Sequence, residues 1–216
     1  STTTTTLPRV HTLFYSDDVV GYWDMSTSGV VEDKSSNNND GTVADATVIS
    51  GLFGDALNFD GDGDYVNMGD ILEFPTNSFT ISLWMKASPN QDSYPITKTT
   101  GNIGSQPRYY IRLLSSGAIQ ANLLNSGTEV EQVSGHTDFD DDEWHHLLVS
   151  FDRGNGINFY KDGIIDIKAD TDNPTLSDID GNFYIGRHFQ GDLTKNFNGI
   201  IDEVIIWNRL LTDAEV

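Results

Sequence analysis

The feature that most constrains this chain is a succession of short segments alternating apolar and polar residues, separated by turns rich in Gly, Asp and Asn. Phe79-Thr80-Ile81-Ser82-Leu83-Trp84-Met85-Lys86 alternates without a break, which is the period of a strand with one face buried. Residues 109–114 and 118–124 flank Ser115-Ser116-Gly117, and residues 145–151 and 157–160 flank Asp152-Arg153-Gly154-Asn155-Gly156; both read as hairpins. A third hairpin turns on Asp162-Gly163, a pair suited to a type I′ turn. Residues 183–185 and 199–207 close the series. Only residues 210–216 look helical, with Thr212 and Glu215 in capping-box spacing. Many short strands joined by Gly-rich turns specify an all-β, antiparallel two-sheet sandwich or jelly roll, here with a short C-terminal helical turn.

The charge balance narrows the partners. The chain of 216 residues carries 33 Asp and Glu against 12 Lys and Arg, a formal net charge of −21. Nucleic-acid binding draws on basic side chains that neutralise phosphates, so this balance argues against it. It argues equally against an anionic lipid surface, and no apolar run reaches the roughly 20 residues of a membrane span. There are no cysteines, which excludes disulfides, thiolate chemistry and cysteine zinc sites. The acidity itself has two readings: a solvated, salt-adapted surface, or carboxylates gathered for Ca²⁺. Residues 1–17, with their Thr tract, read as a linker or entry segment, and residues 18–216 as one domain. The chain stops inside its last helical turn, which suggests a piece of a longer protein.

Several residues are candidates for a site. Asp60, Asp62 and Asp64 alternate with Gly61 and Gly63, an arrangement able to turn several oxygens on one hard cation; the alternative is a solvated turn held by Asx hydrogen bonds. The run Asp138, Asp140, Asp141, Asp142 and Glu143 reads as a solvated loop, with a weaker Ca²⁺ site as the alternative. His145 and His146 follow Trp144, but neighbours on a strand point to opposite faces, so they do not share a metal. Trp84 sits with Thr80, Ser82 and Lys86 on the polar face of its strand, where an indole is either a sugar-stacking platform or a ring under a covering loop. Tyr110, Arg112, Gln120 and Asn122, on the neighbouring hairpin, are expected to supply polar contacts on the same face, with Tyr184 and His188 as lesser additions. Glu129 and Glu131 are the only alternating carboxylate pair resembling the pair a glycosidase requires. They lack a third acid and an aromatic neighbour in the sequence. No nucleophile-elbow, Walker or dinucleotide glycine motif is present, so catalysis is not expected.

Read in order, the pieces resemble a known family. Val20-Gly21-Tyr22-Trp23-Asp24 is followed by Asp33-Lys34-Ser35-Ser36-Asn37-Asn38-Asn39-Asp40-Gly41 and by Phe53-Gly54-Asp55-Ala56-Leu57-Asn58-Phe59-Asp60-Gly61. Ser78-Phe79-Thr80-Ile81-Ser82-Leu83-Trp84, Glu143-Trp144-His145-His146 and Tyr160-Lys161-Asp162-Gly163 follow. Phe197-Asn198-Gly199-Ile200-Ile201-Asp202-Glu203-Val204 ends the series. This succession resembles the laminin-G-like, concanavalin A-like jelly-roll modules of secreted bacterial and archaeal proteins. The resemblance implies a structural Ca²⁺ where the early and final strands meet, with Asp202 as the matching acid and Asp24 and backbone near Asp60 as co-ligands. Asp202 lies among apolar residues, and a buried carboxylate needs a cation or donors. The implied function is a non-catalytic, extracellular recognition module of a larger secreted or surface protein, binding a glycan or glycosylated surface. Two rivals stand beside it: a structural or adhesive protein-binding module of a surface layer, filament or virion, and a divergent glycoside hydrolase or polysaccharide lyase using Glu129 and Glu131.

Overall fold

The structure is a computed structural model and describes residues 16–100, 108–125, 128–169, 179–188 and 192–216. Most of the expected entry segment, residues 1–15, lies outside the described residues. The strands are β1 (Val19–Trp23), β2 (Val30–Val31), β3 (Gly41–Ala44), β4 (Thr47–Ser50), β5 (Asp55–Asp60), β6 (Tyr65–Asn67), β7 (Phe79–Ala87) and β8 (Ser93–Thr99). They continue with β9 (Arg108–Leu113), β10 (Ile119–Asn125), β11 (Thr128–Val133), β12 (Trp144–Asp152), β13 (Gly156–Lys161), β14 (Ile164–Ala169), β15 (Phe183–Ile185) and β16 (Asn198–Trp207).

These strands form two antiparallel sheets. The first runs β14-β13-β12-β7-β16-β5-β4, with β1 also on β16; the second runs β11-β10-β9-β8-β15-β6-β3-β2. One edge of β16 is shared: β5 pairs with residues 198–201 and β1 with residues 204–207. The period-two pattern does what it predicts. Phe79, Ile81, Leu83 and Met85 of β7 are fully buried between the sheets, facing Tyr109, Ile111 and Leu113 of β9. The rings of Phe74, Phe79 and Phe151 stack at centroid distances of 4.2 and 4.4 Å. All three expected hairpins form. In the third, Asp162 (φ 52°) and Gly163 (φ 78°) both adopt the left-handed conformation that a type I′ turn requires.

The C-terminal segment differs in part from expectation. Glu215 does reach back to the Thr212 N–H (2.8 Å) and hydroxyl (3.0 Å), as a capping box should, and Arg209 clamps its carboxylate. The result is a single hydrogen-bonded turn rather than a helix. Its Leu211 and Val216 pack with Val19, Leu148, Tyr160, Ile205 and Trp207 on the outer face of the first sheet. The one helical element among the described residues is a 3₁₀ turn, Leu193–Lys195.

Candidate functional site

A β-bulge in β16 organises the outer face of the first sheet. Asp202 stands opposite Trp84 and Ile205 opposite Ser82, so two residues, Glu203 and Val204, face Leu83 alone. Directly opposed residues share a face. Asp202 and Ile205 therefore join Trp84 and Ser82 outside, while Val204 enters the core. The extra residue, Glu203, takes a left-handed φ of 49°. Bulges commonly re-aim a side chain in this way, and here the bulge turns a second carboxylate to the side already holding Asp202.

Asp202 is completely buried beneath the loop that joins β4 to β5. Its Oδ2 accepts the backbone N–H groups of Leu52 and Phe53, each at 3.0 Å. Gly51 makes room for it: a Cβ there would come within 2.6 Å of Oδ2. Asp202 Oδ1 has no hydrogen-bond partner of good geometry. Burial pushes the Asp202 carboxyl up, against the pull of the Phe53 and Leu52 N–H groups, and the Asp24 charge adds to the rise.

The anchored loop carries Phe53, which is 56% exposed, to the edge of Trp84, with centroids 5.7 Å apart and planes at 67°. The His146 ring lies 5.1 Å from Trp84 on the other side, and its Nε2 is hydrogen-bonded to Ser82 Oγ at 2.7 Å. Tyr22 stands opposite Ile205 on β1 and donates its hydroxyl to Glu203 Oε2 at 2.7 Å. Together these side chains line an open pocket of about 320 Å³. Trp84 is half-buried, a ring wall of the pocket rather than a core residue. An aromatic-lined concavity with a few convergent polar groups is the form small-ligand sites take.

Of the residues expected beside Trp84, the structure brings none to it. Tyr110, Arg112, Gln120 and Asn122 lie on β9 and β10, in the second sheet, with side chains directed away from the core. They occupy the opposite surface of the sandwich. The expectation of a shared face is corrected: hairpin partners share a sheet, but β7 and β9 belong to different sheets. There they form their own network. Arg112 pairs with Asp92 through two bonds of 2.6 and 2.7 Å and reaches Gln120 at 3.2 Å. Arg112 and then Lys195 hold the Asp92 carboxyl at about 2. Tyr110 donates to Glu131 (3.0 Å), and burial pushes its phenol up. Asn122, fully buried, donates to Glu129 at 2.6 Å, and Arg108 binds the same oxygen at 2.9 Å. Glu131 thus has an aromatic neighbour that the sequence did not reveal. His188 packs on Tyr94 at 4.7 Å, and Arg187 stacks on Tyr65 and Tyr184 at 4.5 and 5.1 Å.

The acidic loops are each occupied locally. In the turn after β5, Asp64 Oδ2 accepts the Asp60 N–H (2.9 Å) and Asp60 Oδ1 accepts the Asp62 N–H (2.8 Å), the Asx arrangement weighed against a metal. Asp60 opposes Asn198, four residues before Asp202, so about 13 Å of strand separates the two acids. Asp60, Asp62 and Asp64 therefore do not meet Asp202, whereas Asp24 is close enough to act on it electrostatically. Among the described residues no group of three Asp, Glu or His side chains is gathered as a metal site. In the run before β12, Phe139 is buried, Asp140 caps the Asn90 N–H (2.8 Å), and Asp141 and Asp162 hold His145 at 3.1 and 2.8 Å. His145 and His146 do point apart. Asp162 uses its oxygens on His145 Nδ1 and the His146 backbone N–H, so Ser82 and His146 are not completed into a triad through it.

His146 has a pH signature. Burial pushes its imidazole below the ordinary 6.5, with the Asp162 charge opposing. Below that pH the unfolded chain takes up the proton more readily than the fold. The stability this group contributes is complete above 6.5 and is lost as pH falls through the lower folded value. The wild type's stability advantage over His146→Gln should therefore shrink as pH falls from 7 to 5. Urea titrations at each pH measure it, and a difference independent of pH would contradict this reading.

A jelly-roll sandwich with an aromatic pocket on one outer face defines a class, and the comparisons agree on the fold. The chain belongs to the concanavalin A-like lectin/glucanases superfamily, whose laminin-G model matches residues 60–216. The chain is 24% identical over 148 residues to adhesion G-protein coupled receptor V1 of Danio rerio, covering 64% of this chain and 2% of that receptor. It therefore spans only a small part of that relative's length. Among solved structures, domain 4 of the extracellular arabinanase AbnA from Geobacillus stearothermophilus, in complex with arabinotriose, superposes with a TM-score of 0.69 at 18% identity, covering 92% of this chain and 96% of that one. The binding domain of paraclostridial mosquitocidal protein 1 gives 0.73 at 14% identity, over 92% and 51%. The receptor-binding domain of botulinum neurotoxin D gives 0.68 at 15%, also over 92% and 51%.

Proposed function

We propose that the chain is a non-catalytic, extracellular carbohydrate-binding module of a larger protein, and that the Trp84 pocket is its binding site. The observation that carries this reading is the pocket itself: two rings set at an angle, with Ser82, His146, Tyr22 and Glu203 presenting hydrogen-bonding atoms. A ring face matches the apolar face of a sugar, and the polar rim matches its hydroxyls. The arabinanase domain, which covers nearly the same length of chain, was solved with arabinotriose. The two toxin domains are named for binding and receptor binding. Neither Glu129 nor Glu131 faces this pocket, and both are tied down by Arg108, Tyr110 and Asn122, which supports binding over hydrolysis.

The reading includes a structural Ca²⁺. Its fit rests on Asp202, a fully buried carboxylate with one oxygen unsatisfied, beside the charge of Asp24. Asp202 and Asp24 would hold the ion, which would clamp β16 to the loop bearing Phe53. The acids of the Gly loop, Asp60, Asp62 and Asp64, are separate from it.

The test is an array of neutral and charged oligosaccharides, arabino-oligosaccharides included, followed by calorimetry on the hits. Trp84→Ala is expected to weaken binding by about tenfold or more, as removal of a central aromatic does, while Trp207 and the other core rings keep the fold. Binding that is indifferent to Trp84 would place the ligand elsewhere, and a blank array would count against the carbohydrate reading.

A further inference from the structure

The Trp84 pocket joins aromatic walls to a carboxylate, with no Lys or Arg among its described lining residues. Phe53 and Trp84 meet at 67° with centroids 5.7 Å apart, so two ring surfaces form a corner. Tyr22 supplies a third ring and holds Glu203 by a 2.7 Å hydrogen bond. Among the described lining residues Glu203 is the one carboxylate, and no Lys or Arg joins it. Lys86 and Lys34 are engaged elsewhere, Lys86 with Asp142 at 3.6 Å and Lys34 with Asp24 and Glu32. The bulge that places Glu203 here sets a non-Gly residue at φ 49°, a conformation that persists only where its surroundings impose it.

A neutral sugar needs stacking and hydrogen bonds but no net charge in the wall. A cation gains from both features present here, because ring faces and a carboxylate each attract positive charge. The half-buried setting of Glu203 strengthens that attraction relative to water. We infer that the Trp84 pocket recognises a protonated amino group on its glycan ligand, an amino sugar, with Phe53, Trp84 and Tyr22 around the ammonium and Glu203 as its counter-charge. This rests on reading the pocket as the ligand site, and it names the chemistry that site selects.

The test separates charge from shape. Choline and its uncharged isostere 3,3-dimethylbutanol are titrated into the full chain by calorimetry and tryptophan fluorescence. Glucosamine oligosaccharides are then compared with their N-acetylated forms, which carry no charge. Choline and the free-amine oligosaccharides should bind about tenfold or more tightly than their neutral counterparts. Glu203→Gln should remove that preference while leaving weak binding of the neutral forms. Should Glu203→Gln not fold, Phe53→Ala, on an exposed loop, should lower choline affinity several-fold. Equal affinity for charged and neutral partners overturns the inference, as does failure of choline and glucosamine oligosaccharides to bind at millimolar concentration. Trp84-dependent binding of neutral arabino-oligosaccharides without any preference for amines overturns it while leaving the carbohydrate reading intact. Binding of choline by a protein blank on every glycan, amino sugars included, removes the carbohydrate reading and the glycan part of this inference together, leaving only the cation preference.

Discussion

Replacing Asp202 by alanine is expected to destabilise the fold by about 3 kcal/mol, since hydrogen bonds to a charged group contribute about 1.5–3 kcal/mol each. Two backbone donors, Leu52 and Phe53, lose their acceptor. The gain on the other side is relief of a buried carboxylate whose pKa burial pushes up, which keeps the net below the sum of the two bonds. For a chain of this length the loss should lower the melting temperature by about 6–12 °C. The damage should also reach the pocket. The 51–54 loop is held to β16 through this side chain, and it places Phe53 against Trp84, so the variant should show altered Trp84 fluorescence and loss of ligand binding without direct contact to ligand. Asp202→Asn keeps an oxygen acceptor and should retain more of both. The proposed calcium adds a second reading to the same pair of proteins. Wild type should melt higher with Ca²⁺ than with EDTA, by an amount that grows with ion concentration, and Asp202→Ala should show no such response. A wild-type midpoint unmoved by Ca²⁺ and EDTA, with no calcium found by elemental analysis, would remove the ion and leave the hydrogen-bonding role standing.

The contrast between what the sequence revealed and what it hid follows from range. The β7 alternation, the three hairpin turns and the burial of Asp202 are properties of a few adjacent residues, and each was legible. Strand β8 was not, because Pro95 sits inside it, and proline argues against a strand interior. The structure accommodates Pro95 at a register shift between Ser93 and Ile96. The pairing of strands into sheets was equally hidden. Trp84 and Tyr110 both read as outward-facing residues, and only the partition of β7 and β9 between two sheets shows that they face opposite ways. The pocket depends on contacts of the longest range: Tyr22 meets Glu203 across 181 positions, and Phe53 meets Asp202 across 149. One local signal was available. In Ile200-Ile201-Asp202-Glu203-Val204-Ile205-Ile206 two consecutive acids interrupt an otherwise apolar strand, a break in period that marks a bulge.

Gly199 shows how the final-strand motif is constrained, and its replacement should be at least as damaging as that of Asp202. It lies in β16 between Phe59 of β5 and Ala87 of β7, with φ at 144°. A Cβ at this position would overlap the Lys86 carbonyl oxygen and come within 2.9 Å of Ala87 Cα and 3.1 Å of the Phe197 ring. Two of those three neighbours are backbone, and both flanking strands are fixed by their own ladders, with Ser88 N–H bonded to the Asn198 carbonyl at 3.0 Å. The chain cannot yield without parting the centre of the sheet. Gly199→Ala should therefore cost about 3–4 kcal/mol, combining backbone strain of about 1–3 kcal/mol with an overpacking penalty of similar size. Gly54 isolates the first contribution. It also has a positive φ, 89°, but a Cβ there meets nothing within 4 Å. Gly54→Ala should lose only the strain component, about 1 kcal/mol. Urea unfolding of the two variants side by side measures the difference. Equal losses would mean that β16 can shift away from Lys86, and the glycine would then reflect conformation alone; a loss two or more kcal/mol larger at Gly199 makes close approach of the β7 backbone the reason that only glycine fits.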